Sequence, residues 1–132
     1  MVYFGDVHAA MGDGEVFLSG VEIAGRIRAR VTVAAGWSLP TPLVATDELL
    51  AVIADGATFD EAAKAAMAKA VVDVLSAGGM DRVDAGFFMS AAGHLRVCQY
   101  IPLGRLVHCR FELPKSILAL NQIRVPHMQP ML

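Results

Sequence analysis

The clearest periodic pattern in the chain is a helix that begins near Thr58. Thr58 and Glu61 have the spacing of a capping box, in which a hydroxyl and a carboxylate accept hydrogen bonds from the unpaired amides at a helix start. Apolar residues then recur at three- and four-residue spacing over about 18 residues, a broad stripe on one helix face. Gly78 and Gly79 follow this stripe and predict a left-handed helix end.

A second helix and a pair of strands follow. Asp81 predicts the N-cap of a helix that runs to about Gly93, and the two helices together form a hairpin. Ser90 lies in this helix without the Gly-x-Ser-x-Gly context of an exposed nucleophile, so we expect it to pack or to bond back to its own helix. Alternation of apolar and polar residues predicts strands at 95–101 and 106–113.

The first third of the chain reads as strands and loops. Residues 2–4 predict a short strand, 5–15 a glycine-containing loop, 16–33 strands of period two, and 43–54 one or two short strands. These elements predict an α+β fold, a β-rich domain of sandwich or barrel type with the helical hairpin packed on it. Residues 1–124 form one domain, and the tail 125–132 is expected to be extended or disordered.

Composition narrows the class of protein. Hydrophobic residues make up 55% of the chain and the mean hydropathy is +0.51, which favours burial of some apolar surface against another chain. No apolar run reaches the roughly 20 residues of a membrane span, so no membrane is expected. A net charge of -2 argues against nucleic acid as a partner. The two cysteines are interpreted as thiols of a cytoplasmic protein.

Two carboxylates and an imidazole near the amino end are the candidate chemistry. Asp6 and His8 are one residue apart, so in an extended segment both side chains point to the same side. Glu15 follows past glycines that allow the loop to fold back. Such groups bind Zn²⁺ or similar cations, with Asp13 and Glu22 as ligands or as supports of ligands. The alternative from the residues alone is a solvated loop with a turn-forming aspartate and a surface histidine.

A longer motif contains these residues. From Gly5 the chain reads Gly-Asp-Val-His-Ala-Ala-Met-Gly-Asp-Gly-Glu-Val. This run resembles the signature loop of the acetamidase/formamidase family, whose pattern is close to Gly-Asp-x-His-Ala-x-x-Gly-Asp-Gly-Glu. Other segments follow in family order: Gly20-Val21-Glu22, Asp60-Glu61-Ala62, Met89-Ser90-Ala91-Ala92, Arg96-Val97-Cys98-Gln99 and Leu113-Pro114-Lys115-Ser116-Ile117-Leu118.

The resemblance implies an enzyme part, the C-terminal half of an amidase that hydrolyses a small carboxamide of the formamide or acetamide type to acid and ammonia. It implies Asp6, His8 and Glu15 as ligands of a divalent metal, Zn²⁺ with Ca²⁺ as the alternative. His8 and Glu15 are also the implied catalytic residues, with Asp13 and Glu22 close to them. The metal would activate water for attack on the amide, and a carboxylate would carry the proton to the leaving amine.

The sequence departs from the family pattern in three places, and these departures bear on which partner is expected. The sequence contains no Asn-His-Gly-Gly-Asn-x-Asp segment of the kind that the family has in an N-terminal half. Phe17-Leu18-Ser19 replaces a run of small polar residues, and no acidic residue lies near Ile101-Pro102. We therefore expect an N-terminal-half partner chain, a homo-oligomer, or both.

Three hypotheses remain open at this stage. In the first, the chain is one part of a split amidase and is active only with the N-terminal half. In the second, it is a non-catalytic, degenerate oligomeric module of the same family. In the third, it is a self-sufficient small hydrolase in which two copies of the Asp6, His8 and Glu15 set meet across an oligomer interface.

Overall fold

An antiparallel sheet of four strands forms the centre of the described chain. The computed structural model describes residues 7–13, 15, 17–33, 42–101 and 106–123. The strands are β1 (Leu43–Ala45), β2 (Leu49–Gly56), β3 (His94–Ile101) and β4 (Leu106–Pro114), in the spatial order β1-β2-β4-β3. The α+β class is confirmed, and the strands of the described residues form a single open sheet.

Helices connect and follow these strands. They are α1 (Phe59–Lys69), its π-helical continuation Ala70–Ser76, α2 (Arg82–Ala92) and α3 (Lys115–Leu120). The two predicted helices are confirmed, whereas α3 and the π-helical geometry were not predicted. Among the described residues, no helix combines the length and apolar character needed to cross a bilayer. The predicted tail and the predicted strand at 2–4 lie outside the described residues.

The ends of the helical hairpin follow the local signals in the sequence. The Thr58 hydroxyl accepts a hydrogen bond from the Glu61 amide at 3.2 Å, and the Glu61 carboxylate accepts one from the Ala57 amide at 2.9 Å. Gly79 has φ +105°, a conformation that side chains other than glycine rarely adopt, and thereby ends the first helix. Asp81 caps α2 by accepting from the Val83 amide at 2.8 Å. Interactions within a few residues therefore determine both ends of the first helix and the start of α2.

Replacement of Thr58 by alanine is expected to lower the free energy of unfolding by about 1 kcal/mol, because the Glu61 amide loses its acceptor at the helix start. Urea denaturation measures the change. Thr32→Ala, at an exposed threonine outside any helix, is the matched control and should be nearly neutral. An equal loss in both variants would contradict the capping assignment.

The core lies between the helical hairpin and one face of the sheet. In β4 the buried residues alternate with half-buried ones, as the sequence predicted, and Leu113 is fully buried. Small residues on α1 let the helix backbone approach the sheet closely. The buried residues of this core are Leu50, Val52, Ala54, Ala62, Ala66, Ala70, Val74, Leu75, Ala85, Met89, Val107, Cys109, Phe111, Leu113 and Leu118.

The strands predicted at 16–33 are not formed by the described residues of this range, and that prediction is wrong. Outside one isolated bridge between His8 and Glu22, residues 17–33 belong to no ladder. Their alternation is typical of a strand, but a strand needs a neighbour to pair with its backbone. Val31 and Val33 are 81% and 93% exposed, so their side chains also do not pack against an apolar surface of the described residues.

Both cysteines are free thiols, in agreement with the sequence interpretation. Cys98 lies where the pairing of β3 with β4 shifts register, between Val97 and Gln99. Burial raises the pKa of the Cys109 thiol, and the neighbouring Cys98 adds to this effect. Ser90 donates to the Gly86 carbonyl at 2.9 Å, so it bonds back to its own helix as expected.

Candidate active site

The amino-terminal loop folds against residues 20–23 through three main-chain hydrogen bonds. The Ala9 amide donates to the Val21 carbonyl at 2.8 Å, and the Val21 amide donates to the Ala10 carbonyl at 2.8 Å. The Ile23 amide donates to the Val7 carbonyl at 3.1 Å. This short antiparallel pairing places His8 directly opposite Glu22.

Glycine at position 20 allows this close approach. A Cβ atom built on Gly20 would lie 2.9 Å from the Ala10 carbonyl oxygen and 2.9 Å from the His8 ring. Because real Cβ atoms do not tolerate such distances, any larger residue would push the imidazole out of place. The Gly20-Val21-Glu22 segment therefore has a local structural reason to begin with glycine.

His8 and Glu22 form a hydrogen-bonded pair. His8 Nε2 lies 2.8 Å from Glu22 Oε1, and the Ser19 hydroxyl donates to the same oxygen at 3.0 Å. The His8 side chain is 15% exposed, whereas that of Glu22 is 49% exposed. An imidazole and a carboxylate in this arrangement are typical of catalytic and metal-binding histidines that need a fixed orientation.

The ionised state of Glu22 fixes the direction of its hydrogen bond with His8. Desolvation would raise the pKa of Glu22, but the hydrogen bonds from Ser19, His8 and the Gly20 backbone, with the electrostatic attraction of His8, together outweigh it, and the pKa lies below its ordinary value of 4.5. Glu22 is therefore ionised at neutral pH and can only accept hydrogen bonds. Consequently His8 Nε2 is the donor in this contact.

Titration of Glu22 is expected to give a pKa below 4.5, and Ser19→Ala should raise it by removing one donor. Since the folded-state pKa is the lower one, the contact stabilises the loop above the unfolded-state pKa, and this contribution is lost as the pH falls through the folded-state value. Carbon-detected NMR of the Glu22 carboxylate measures the pKa. Ser116→Ala, at an exposed serine on α3, should leave it unchanged.

A second pair joins the loop to the sheet. The Gln99 side-chain amide, from β3, donates to Glu15 Oε2 at 2.6 Å. The Tyr100 amide donates to the Asp13 carbonyl at 2.7 Å, so two contacts hold the loop on the same strand. Glu15 has φ +36°, in the left-handed region that non-glycine residues seldom occupy. The surrounding contacts therefore hold Glu15 in a conformation that is strained.

The structure places four of the five predicted site residues. His8 contacts Glu22, and Glu15 contacts Gln99. Asp13 contributes its backbone carbonyl to the anchoring of the loop, and Asp6 lies outside the described residues. Within the described ranges, no three His, Cys, Asp or Glu side chains are grouped as a metal site. The convergence of Asp6, His8 and Glu15 on one cation stays a prediction.

Sequence reasoning missed two residues of this site. Ser19 carries no signal in the sequence beyond its place in the unusual Phe17-Leu18-Ser19 run, but its hydroxyl reaches the carboxylate of Glu22 three residues later. Gln99 was quoted only as part of a strand. Gln99 and Glu15 are 84 positions apart in the chain. Gln99 also lies at the register shift in β3, for which the local sequence carries no signal.

Solved structures share this fold. The first is a predicted acetamidase/formamidase from Thermoanaerobacter tengcongensis, 34% identical over 89% of this chain, with a TM-score of 0.78. An acetamidase from Bacillus halodurans is 31% identical over 89% of the chain, with a TM-score of 0.68. The acetamidase/formamidase resemblance is thereby confirmed. An acetamidase from Yersinia enterocolitica, at 23% identity and a TM-score of 0.68, supports the fold alone.

The acetamidase/formamidase-like chain is much shorter than these proteins. It spans 38% of the Thermoanaerobacter protein and 39% of the Bacillus protein. No family model matches the chain, and no curated protein matches it in sequence. The resemblance therefore applies to one part of an acetamidase/formamidase.

Proposed function

We propose that this chain supplies part of an amidase active site, which hydrolyses a small carboxamide of the formamide or acetamide type to its acid and ammonia. The observation that carries the proposal is the 2.8 Å contact between His8 Nε2 and Glu22 Oε1, in a loop that resembles the family signature. An ionised carboxylate against one ring nitrogen makes the imidazole a better base at the other nitrogen. The pair thus suits transfer of a proton from a water molecule that attacks an amide.

The roles of the individual side chains follow from these contacts. Glu22 holds the His8 ring in one orientation and tautomer, and Ser19 holds Glu22. His8 takes a proton from the attacking water. That proton then passes by way of the Glu15 carboxylate, held by Gln99, to the leaving amine, which must be protonated because an amide anion is a poor leaving group. His8 and Glu15 are the proposed catalytic residues, and Glu22, Ser19 and Gln99 position them.

A divalent metal fits the donor groups of this site. His8 and Glu15, together with Asp6, would hold it, with Asp13 and Glu22 as neighbouring carboxylates. A His8 nitrogen that ligates the cation could not also accept a proton, so in the metal-bound form a carboxylate would take the proton from water. Imidazole nitrogen and carboxylate oxygen are typical ligands of Zn²⁺. A site formed by oxygen ligands alone would favour Ca²⁺. When bound, the cation would supply a Lewis acid for the amide carbonyl.

The proposed enzyme acts with a second polypeptide. The chain spans 38% of the Thermoanaerobacter protein, so most of the length of that protein has no counterpart here. Amide hydrolysis requires groups for attack, for oxyanion stabilisation and for protonation. The His8–Glu22 pair and the Glu15 carboxylate are too few to supply all three. A polypeptide that corresponds to the uncovered part is the proposed source of the remaining groups.

A second candidate function is a non-catalytic oligomeric module of the same family. The observation that favours it is the division of the described side chains into two separate contacts, His8 with Glu22 and Glu15 with Gln99, rather than one group around an ion. Metal analysis separates the two candidates. Stoichiometric Zn²⁺ or Ca²⁺ that is lost in His8→Ala supports a retained site, whereas a metal-free chain supports the non-catalytic module.

Ammonia release tests the proposed enzyme directly. The chain would be co-expressed with the uncovered part of the Thermoanaerobacter tengcongensis protein, and the purified mixture assayed with formamide and with acetamide. We expect release from the mixture and none from either part alone. Turnover by the chain alone would instead support a small hydrolase assembled from identical copies. A complex that forms, binds metal and releases no ammonia would contradict the proposed function.

A further inference from the structure

Residues 24–33, which we name the arginine segment, leave the main-chain pairing of the loop. The last bond of that pairing joins Ile23 to Val7. In the part of the chain that the structure describes, no backbone amide or carbonyl of the arginine segment forms a hydrogen bond. A strand-like segment whose backbone groups pair with no described residue is a template for pairing with another strand.

The side chains of the arginine segment separate into two faces if it is extended. Arg26, Arg28 and Arg30 share one face, and they are exposed and make no ion pair within the described residues. The apolar residues at the odd positions share the other face. Ile27, Val31 and Val33 are 51%, 81% and 93% exposed. Such a segment offers main-chain groups, an apolar face and a cationic face to one partner.

The same alternation disfavours a second copy of this chain as the partner. In an antiparallel pair, opposite residues share a face, so a register that pairs even with even positions places arginine against arginine. A register that pairs even with odd positions places the arginine face of one copy on the apolar face of the other. Parallel pairing in register also aligns like charges. Each arrangement costs either charge repulsion or burial of an unpaired guanidinium.

We propose that the arginine segment is an edge strand that pairs with an edge strand of a different polypeptide, one with carboxylates at alternate positions opposite Arg26, Arg28 and Arg30. The apolar face of the segment packs against the apolar face of the same partner. Main-chain hydrogen bonds supply affinity, and the carboxylates set the register. The proposal identifies the docking surface for the polypeptide of the proposed function, and in that respect it rests on that function.

The length comparison supports this choice of partner. The Thermoanaerobacter and Bacillus proteins share the fold of this chain but are covered to only 38% and 39% of their own lengths. The part of those proteins that this chain does not match is therefore available to pair with the arginine segment, which is exposed among the described residues. The arginine segment is also continuous with residues 20–23, so a strand paired with it would extend beside the His8 and Glu22 contact.

Co-purification tests the surface without any measurement of catalysis. The full chain, tagged, is co-expressed with the uncovered part of the Thermoanaerobacter tengcongensis protein, and the complex is quantified after size-exclusion chromatography. We expect a complex that contains both polypeptides. Val31→Asp with Val33→Asp should reduce the recovered partner by about tenfold or more, because aspartate cannot be buried in the apolar face. Val83→Asp, at a 67% exposed valine on α2, is the matched control and should bind normally.

Charge reversal of Arg26, Arg28 and Arg30 to glutamate should also reduce binding by about tenfold or more, and the wild-type complex should weaken with added salt. Hydrogen exchange gives an independent measurement on wild-type protein. The amides of residues 26–33 should exchange rapidly in the chain alone and become protected in the complex.

Three results would overturn the proposal. They are a folded wild-type chain that recovers no partner, a complex that all the variants form equally well, and a homodimer that the arginine reversal leaves intact. Binding and catalysis can fail separately. A complex with protected amides and no ammonia release would retain the docking surface and reject the amidase, whereas ammonia release without protection of residues 26–33 would retain the amidase and reject the surface.

Discussion

Replacement of Leu113 by alanine is expected to lower the free energy of unfolding by about 3 kcal/mol, which is a large part of the stability of a small domain. Leu113 is fully buried in β4, where it pairs with Leu50 of β2. The loss combines the transfer free energy of the removed carbon atoms with a cavity that neighbours on both sides can fill only in part. Urea denaturation with linear extrapolation measures the change.

Leu120→Ala is the matched control for this prediction. It removes the same atoms from a leucine that is 81% exposed at the end of α3, so its effect should stay within about 0.5 kcal/mol. The denaturant dependence should be the same in both variants, because neither changes the surface exposed on unfolding by much. Similar losses at the two positions would contradict the assignment of the core to the face of β4 that carries Leu113.

Elements with local signals could be predicted from the sequence. The capping residue Thr58 and the left-handed Gly79 bound the first helix by chemistry that acts within a few residues. In β4 the alternation of buried residues results from one covered face. Helix α3 has a comparable local signal, because Pro114 precedes it and proline is favoured at helix starts.

Pairing between distant segments could not be predicted in the same way. The alternation at 26–33 is as regular as that of β4, yet these residues form no ladder with the described chain. The difference lies in the partner: β4 has β2 and β3 on its two sides, whereas residues 24–33 have no strand beside them within the described chain. Periodicity reports a preference for a pleated surface, and it does not supply the neighbour.

The candidate site was predicted in part for the same reason. His8 and Glu15 came from a contiguous motif and Glu22 from the segment that follows it, and the contact of His8 with Glu22 needs only a short antiparallel pairing. Gln99 reaches Glu15 from β3, on the far side of both helices in sequence. The loop that carries Glu15 could be recognised from its sequence motif. The strand residue that contacts it, Gln99, could not.

This connection links the stability of the sheet to the geometry of the site. Gln99 and the Tyr100 amide hold the loop through Glu15 and the Asp13 carbonyl, and both lie next to the register shift in β3. Glu15 occupies a strained backbone conformation, so loss of the Gln99 contact would release it. Side chains on loops are placed accurately only when rigid elements hold them, and β3 holds Glu15 in this way.

In the complemented enzyme, His8→Ala is expected to lower kcat by about 10² to 10⁴-fold, because the water that attacks the amide loses its base. Glu22→Gln should lower kcat less, by about 10 to 100-fold, since the imidazole remains but loses the carboxylate that fixes its tautomer. Initial rates of ammonia release measure both losses.

His94→Ala is the matched control, since His94 is an exposed histidine at the start of β3 that the proposed reaction does not use. It should retain the kcat of the wild-type complex. Equal losses in His8→Ala and His94→Ala would indicate general damage to the fold, and full activity in His8→Ala would remove the imidazole from the reaction. In the proposed enzyme, partner binding depends on the arginine segment, whereas proton transfer depends on His8 in the loop. A fall in kcat in His8→Ala with the complex intact would therefore assign the loss to proton transfer.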